Sequence, residues 1–186
     1  GVIAVRPDAD NRLGREFHEL LASQPANCEM PAVDVAPEDP ATIFYTSGST
    51  GFPKGAVASH RNIISALLSW ELDQRSALLI AGIEPPELPF QPATLLAVPL
   101  FHATGSHAVY LSSYRSQRKL VCMYKWDAEA AAELIEAERI SSFVAPAAMT
   151  GDLVEAAKRS NRDLSSLMSV GGGGAPRAPE QVKDID

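Results

Sequence analysis

Two hydrophobic periodicities alternate along the chain and predict strands and helices in turn. Short apolar runs predict strands at residues 2–5, 42–45, 56–58, 94–98, 119–123, 142–144 and 167–170. Between them, apolar residues spaced three and four apart predict helices at residues 12–22, after Ser59, near Thr104, after Asp127 and at residues 149–159. Strands that alternate with helices are typical of βαβ units. We therefore expect an α/β fold whose mostly parallel sheet is flanked by helices.

Capping residues and prolines indicate where these elements begin and end. Ser59 is a typical N-cap for a long helix, and Asp127 for an alanine-rich one. Prolines and charged residues predict connecting loops at residues 25–40 and 84–92. The predicted apolar helix faces consist of Leu13, Phe17, Leu20 and Leu21; Ile63, Ile64, Leu67, Leu68 and Leu72; and Ala131, Leu134 and Ile135.

Composition limits the class of protein without identifying a function. The 186 residues are 46% hydrophobic, which is enough for the core of one ordinary domain. The net charge of −7 argues against a general nucleic-acid surface, and no apolar run reaches the length of a membrane span. Cys28 and Cys122 lack the number and spacing of a disulfide framework or a metal site, and we expect Cys122 in the core. The chain opens at Gly1 rather than at methionine, so we expect the native start upstream, which leaves a targeting segment open. We expect a cytoplasmic protein.

One segment between two predicted strands has the composition of a phosphate-binding loop. Its residues are Thr46, Ser47, Gly48, Ser49, Thr50, Gly51, Phe52, Pro53, Lys54 and Gly55. Glycine lets backbone N–H groups turn toward an anion, while hydroxyl and ammonium groups add strong donors. A polyphosphate is the ligand that such a loop favours.

Three other interpretations explain this segment less well. A Walker A loop requires Gly-Lys-Ser/Thr followed by a helix, whereas Lys54 precedes a predicted strand. An ordinary Ser/Gly-rich hairpin turn explains one or two of these residues but not ten in this order. A hydrolase would need a Gly-x-Ser-x-Gly elbow, which the sequence does not contain.

Other candidate residues follow two further predicted strands. The segment 99–102, ending in His102, follows one strand, and the glycine-rich segment 171–176 follows another. Ligands of open parallel sheets lie beyond the carboxyl ends of the strands, so Thr46 and these two segments should converge on one crevice. Taken singly, a histidine at a strand end or a glycine run can be purely structural. His102 and His107 are five residues apart, which disfavours a shared metal ion on a helix.

The order of residues in the segment 46–55 resembles the signature TSG[ST]TGxPKG of the adenylate-forming (AMP-binding) superfamily. Every fixed position of that signature is met. The superfamily comprises acyl-CoA synthetases, luciferases and the adenylation domains of peptide synthetases. The resemblance implies ATP with Mg²⁺ as co-substrate, a carboxylic acid that is activated as its acyl-adenylate, and, for the acyl-CoA synthetase type, coenzyme A as acceptor.

The resemblance also implies roles for individual residues. Thr46, Ser47, Gly48, Ser49, Thr50, Gly51 and Lys54 would hold the triphosphate. His102, in a PLFH segment, would act in catalysis by flanking the acyl group, and Ala103, Thr104, Gly105 and His107 would line the acyl pocket. Gly173, Gly174, Ala175 and Pro176 would lie against adenine, and Lys125 would lie near the CoA phosphate. A solvated lysine at a strand end is the simpler interpretation of Lys125.

Several superfamily segments are absent from the chain. These are the aromatic-Gly-x-Thr-Glu segment, the ribose-binding aspartate, the hinge and the C-terminal domain with its adenylation lysine. Thr150-Gly151-Asp152 spells the family's TGD but occurs far too early, and Thr150 is better interpreted as an N-cap. We expect residues 1–186 to be the central part of the large N-terminal domain and to be inactive alone. Rival functions are a peptide-synthetase adenylation domain, a fatty acyl-AMP ligase, a luciferase-like oxygenase and a non-catalytic nucleotide-binding module.

Overall fold

The computed structural model describes residues 3–4, 14–48, 51–84 and 88–172. The chain divides into two compact units, Gly1–Ala36 and Pro37–Asp186. The second unit contains every residue of the candidate site.

The first unit contains two short strands and a helix. Strand β1 (Ile3–Ala4) pairs in parallel with β2 (Arg15–Glu16), and α1 spans Phe17–Ala22. The helix begins later than the predicted residue 12 because the Glu16 carboxylate caps it, accepting from the Glu19 backbone N–H at 2.9 Å. Phe17 and Leu21 are exposed, and Leu13 lies outside the described residues. Residues 25–39 contain neither helix nor strand, as the sequence predicts.

The second unit opens with an antiparallel hairpin. Strand β3 (Pro40–Thr46) pairs with β4 (Lys54–Ser59), so that Thr46 faces Lys54 at one end and Pro40 faces Ser59 at the other. Both strands were predicted. The two strands are antiparallel, because a short connection can join only antiparallel neighbours. They form a two-stranded sheet that is separate from the parallel one.

A four-stranded parallel sheet forms the centre of the unit, as predicted. Its strands are β5 (Ala93–Leu96), β6 (Lys119–Cys122), β7 (Ser142–Ala145) and β8 (Ser169–Gly172), in the order β6-β5-β7-β8. All four residues of β5 are buried. Gly171 and Gly172 belong to β8 and do not follow it, since they pair with Val144 and Ala145. A Cβ on Gly171 would approach Val144 Cγ2 to 2.9 Å, which explains why glycine suits this register.

The helices begin close to where the sequence predicts them. They are α2 (His60–Ala81), a π-helix (Thr104–Leu111) continued by α3 (Ser112–Arg115), α4 (Ala128–Glu138) and α5 (Ala147–Ser160). A capping box at Ser59 starts α2, in which Asn62 Oδ1 accepts from the Ser59 N–H at 3.0 Å. Asp127 caps α4 through the Ala130 N–H at 2.9 Å. The sequence predicts a helix near Thr104 but not its π-helical form.

The core lies between the sheet and helices α4 and α5. Leu95, Ile135 and Phe143 are fully buried, and the Trp126 ring stacks on Phe143 at 5.6 Å. By contrast, no residue of α2 is fully buried: Ile64, Leu68 and Leu72 of its predicted apolar face are 53%, 47% and 64% exposed. Its main contacts among the described residues are with β4 and the π-helix.

Two predictions about single residues are wrong. Cys122 is exposed rather than buried, because it ends β6, an outer strand of the described sheet. Thr150 is not an N-cap, because α5 begins after Pro146 and Thr150 lies within it. The Thr150 hydroxyl donates to the Ala147 carbonyl at 3.0 Å. Asp152, in the same helix, accepts a hydrogen bond from Trp126 Nε1 at 3.2 Å.

Candidate functional site

The tip of the β3–β4 hairpin holds the predicted phosphate loop. Gly48 and Gly51 both have positive φ, at +66° and +83°, which glycine adopts without strain. The Gly51 N–H reaches the Gly48 carbonyl at 3.4 Å. A Cβ on Gly48 would come within 2.2 Å of the Phe52 carbonyl oxygen, so the chain folds back tightly there. Ser49 and Thr50 lie outside the described residues.

Lys54 stands opposite Thr46 at the last hydrogen-bonded position of the hairpin. Its side chain is exposed and forms no ion pair with any other residue in the described part of the chain. Its Cγ lies 3.8 Å from where a Gly48 Cβ would be, so the aliphatic stem lies over the glycine turn. An unpaired ammonium group beside exposed backbone is suited to a phosphate oxygen.

The second part of the site is the turn that links β5 to the π-helix. The His102 N–H donates to the Pro99 carbonyl at 3.2 Å, which closes the turn. The Phe101 and His102 rings lie 5.0 Å apart, and both side chains are exposed. The His102 carbonyl accepts from the backbone N–H of Ser106 at 3.0 Å and from its hydroxyl at 2.9 Å. The His102 imidazole is therefore exposed to solvent, while the backbone of its turn is fixed by the hydrogen bonds from Ser106.

Gly105 allows the π-helix to pack directly against this turn. A Cβ there would meet the Pro99 carbonyl oxygen at 2.2 Å and the Val98 carbonyl oxygen at 2.9 Å. Of its predicted pocket neighbours, Ala103 is exposed and Thr104 is half-buried, whereas Gly105 is buried. Gly105 thus fixes the distance between the helix and the end of β5.

His107 is the buried member of the predicted pocket, with 7% of its surface exposed. Its Nδ1 lies 2.7 Å from Ser106 Oγ, and its ring meets the edge of the Phe44 ring at 5.4 Å. Burial lowers the pKa of the His107 imidazole below its ordinary value of 6.5. Burial thus favours the neutral imidazole, and the ring contacts Phe44 of β3, the strand that leads to the phosphate loop.

The predicted convergence of three strand ends is partly met. Strands β5 and β8 belong to one parallel sheet, so the His102 turn and Gly172, the last residue of β8, lie at the same edge. Strand β3 belongs to the separate hairpin, and the Phe44–His107 contact joins it to the π-helix. Lys125 is exposed just after β6. Gly173, Gly174, Ala175 and Pro176 lie outside the described residues.

A cavity of about 400 Å³ lies elsewhere, between α2, α3 and one face of the parallel sheet. Its lining includes Glu71, Arg115, Thr94 and Ser142, and none of the residues predicted for the site. Glu71 pairs with Arg115 at 2.8 Å, and the hydrogen bond from Arg115 is the main cause that lowers the pKa of the Glu71 carboxyl. The cavity is thus separate from the phosphate loop and the His102 turn.

Sequence reasoning missed Phe44 and Ser106 as members of the site. The sequence places Phe44 only within a predicted strand, and no known motif identifies a serine four residues after a histidine.

In the described ranges, no three histidine, cysteine, aspartate or glutamate side chains cluster as metal ligands. No helix among these ranges is both long and apolar enough to cross a membrane.

Comparison with known proteins gives a match along almost the whole chain. The family model described as AMP-binding enzyme matches residues 3–185. The chain is 38% identical over 172 residues to 4-coumarate–CoA ligase-like 5 of Oryza sativa subsp. japonica, covering 91% of this chain and 31% of that protein. It is 33% identical over 168 residues to 4-coumarate–CoA ligase 1 of Narcissus pseudonarcissus, covering 88% of this chain and 28% of that protein. The chain therefore spans about a third of the length of these curated relatives.

Solved structures give the same result for the fold. The N-terminal domain of FACL13 from Mycobacterium tuberculosis, solved with an inhibitor, superposes with a TM-score of 0.71 at 28% identity, covering 90% of this chain and 38% of that one. The o-succinylbenzoate coenzyme A synthetase of Bacillus subtilis, solved with ATP and magnesium ion, gives 0.68 at 25% identity, covering 91% and 32%.

Proposed function

The chain belongs to the AMP-binding enzyme family, and from this premise we propose that it is the triphosphate-holding part of a longer acid–CoA ligase. The observation that supports this most directly is the hairpin tip. It combines two glycines of positive φ with Lys54, which forms no ion pair in the described part of the chain. These features favour a bound polyphosphate.

The proposed reaction has two steps. An oxygen of the substrate carboxylate attacks the α-phosphorus of ATP, the bond from that phosphorus to the β-phosphate oxygen breaks, and pyrophosphate leaves. The thiolate of coenzyme A then attacks the acyl carbon, and the bond to AMP breaks. Thr46, Ser47, Gly48, Gly51 and Lys54 would hold the β- and γ-phosphates in the first step, which positions them and neutralises their charge.

The turn after β5 would supply the acid side of the site. His102 would flank the acyl group as a pocket wall and hydrogen-bond partner, and Ala103, Thr104 and Gly105 would line the pocket beside it. Lys125 would lie near the CoA phosphate in the second step. Mg²⁺ bound with the ATP would neutralise part of the triphosphate charge alongside Lys54.

The relatives favour one class of acid over another. Both plant relatives are named as 4-coumarate–CoA ligases or ligase-like proteins, which favours an aromatic propenoic acid over a fatty acid. A panel containing 4-coumaric acid, octanoic acid and o-succinylbenzoate tests this preference.

The test is ATP–pyrophosphate exchange with the full-length protein, followed by mass detection of the CoA thioester. We expect exchange and thioester with at least one acid. Lys54→Ala should lower kcat/KM for ATP about 10- to 100-fold, because a charge-assisted phosphate contact is lost. Lys158→Ala on α5 is the control and should leave the value unchanged. Exchange without thioester would indicate an acyl-AMP ligase or a carrier-protein acceptor, and ATP binding without exchange would indicate a nucleotide-binding module.

A further inference from the structure

Ser106 connects the two histidines of the candidate site through one hydroxyl group. Its Oγ lies 2.9 Å from the His102 carbonyl oxygen and 2.7 Å from His107 Nδ1. A hydroxyl has one proton to donate. Because a carbonyl oxygen can only accept, the Ser106 hydroxyl donates this proton to the His102 carbonyl. His107 Nδ1 must then donate to Oγ. The hydrogen-bond network thus assigns His107 as the Nδ1–H tautomer.

The other side of the same ring contacts the hairpin. Phe44 meets His107 edge to face at 5.4 Å and 73°, and Phe44 lies two residues before Thr46. Because His107 is 7% exposed, the imidazole has little room to change rotamer. Burial also lowers the pKa of the His107 imidazole, which favours the neutral form, in which only one ring nitrogen carries a proton.

We propose that His107 is a positioning residue that couples the phosphate loop to the His102 turn. Through Ser106 it fixes the peptide of His102, and through Phe44 it fixes the strand that ends at Thr46. The function of this coupling rests on the proposed ligase activity, since it would keep the acid and the triphosphate at one distance. The two contacts on which the proposal is based are both between described residues.

Two substitutions separate the two contacts. His107→Asn keeps a donor near the position of Nδ1 but removes the ring that contacts Phe44. His107→Phe keeps a ring of similar shape but removes the donor to Ser106. The third variant, Ser106→Ala, removes the hydroxyl group that connects His107 Nδ1 to the His102 carbonyl.

The decisive measurement is ¹⁵N NMR of the 186-residue chain at pH 7.5. We expect His107 to be protonated at Nδ1 and unprotonated at Nε2. His107→Phe should shift the amide signals of His102 and Ser106 and leave those of Tyr45 and Thr46 near their wild-type positions, whereas His107→Asn should do the reverse. The Nε2–H tautomer, or amide changes that are the same in both variants, would overturn the proposal. Ser106→Ala should move the Nδ1 signal more than the Nε2 signal.

Kinetic measurements on the full-length protein test whether the two contacts of His107 affect the binding of the acid and of ATP. His107→Phe should raise KM for the acid about tenfold with KM for ATP little changed, and His107→Asn should show the opposite pattern. Equal effects of both variants on both constants would contradict the coupling. Absence of any exchange activity in the wild type would refute the proposed function, and the NMR result would still decide the role of His107.

Discussion

At the residue scale, the backbone at Gly48 sets the shape of the phosphate loop. Gly48→Ala would place a Cβ 2.2 Å from the Phe52 carbonyl in a left-handed conformation. We expect about 1–3 kcal/mol of destabilisation and weaker ATP binding, measured by urea unfolding and by calorimetry.

Gly51→Ala is the matched control for this change. It has a similar φ of +83° but no other described residue within 4 Å of its Cβ, so in urea unfolding it should show only the conformational cost of about 1 kcal/mol. Equal losses of unfolding free energy in the two variants would show that the clash between a Cβ at Gly48 and the Phe52 carbonyl oxygen has no effect on stability.

His107 gives the protein a pH-dependent stability. Because burial lowers its pKa from 6.5 in the folded state, the unfolded chain binds the proton first as the pH falls. The free energy of unfolding should therefore decrease as the pH falls below about 7. The contribution of His107 should become constant once the pH lies below its pKa in the folded state. The midpoint of thermal unfolding between pH 8 and pH 5 measures this.

In the His107→Phe variant, the midpoint of thermal unfolding should decrease less between pH 8 and pH 5, because the titrating imidazole is gone. His18→Gln, a change on an exposed residue of α1, should retain the full decrease. An unchanged decrease in His107→Phe would mean that another group is responsible.

At the scale of single elements, local sequence signals predicted well where the determinants are local. Ser59 and Asp127 mark the starts of their helices because a cap needs only the next three residues. The π-helix could not be predicted in this way. It depends on Gly105 packing against Pro99 and on Ser112, whose N–H bonds to the His107 carbonyl five residues back. The wrong assignment of Thr150 has a related cause, because Pro146 starts α5 one turn earlier.

The capping box of α2 provides a test at this scale. Ser59→Ala removes the acceptor for the Asn62 N–H, and we expect a loss of about 1 kcal/mol. Ser69→Ala, at an exposed position within the same helix, should be neutral or slightly stabilising. Far-UV circular dichroism during thermal unfolding compares the two variants. A loss that is no larger at Ser59 than at Ser69 would contradict the role of the cap.

At the scale of the whole molecule, the sequence predicted the parallel sheet but not how the hairpin joins it. Hydrophobic periodicity identifies buried strands, yet it does not state which strands pair. The Phe44–His107 contact, which joins the β3–β4 hairpin to the π-helix, is between residues more than 60 positions apart in the chain. The exposed apolar side of α2 has a similar explanation, since the spacing of Ile64 and Leu68 predicts an apolar face without specifying what covers it.

The core supplies a prediction for global stability. Phe143 is fully buried and stacks on Trp126, so Phe143→Ala should cost about 3–5 kcal/mol. Phe101→Ala, at a side chain that is 70% exposed, should cost much less. Chemical denaturation followed by tryptophan fluorescence measures both changes. Similar losses in the two variants would refute the assigned core.

The hairpin and α2 are joined without an intervening loop, because Ser59 both ends β4 and caps the helix. The 22 residues of α2 extend about 33 Å at 1.5 Å per residue. A rotation of roughly 5° about Ser59 would therefore swing Gly82 through about 3 Å. A displacement of β4 at Ser59 would therefore be transmitted along α2 to its C-terminal end at Gly82.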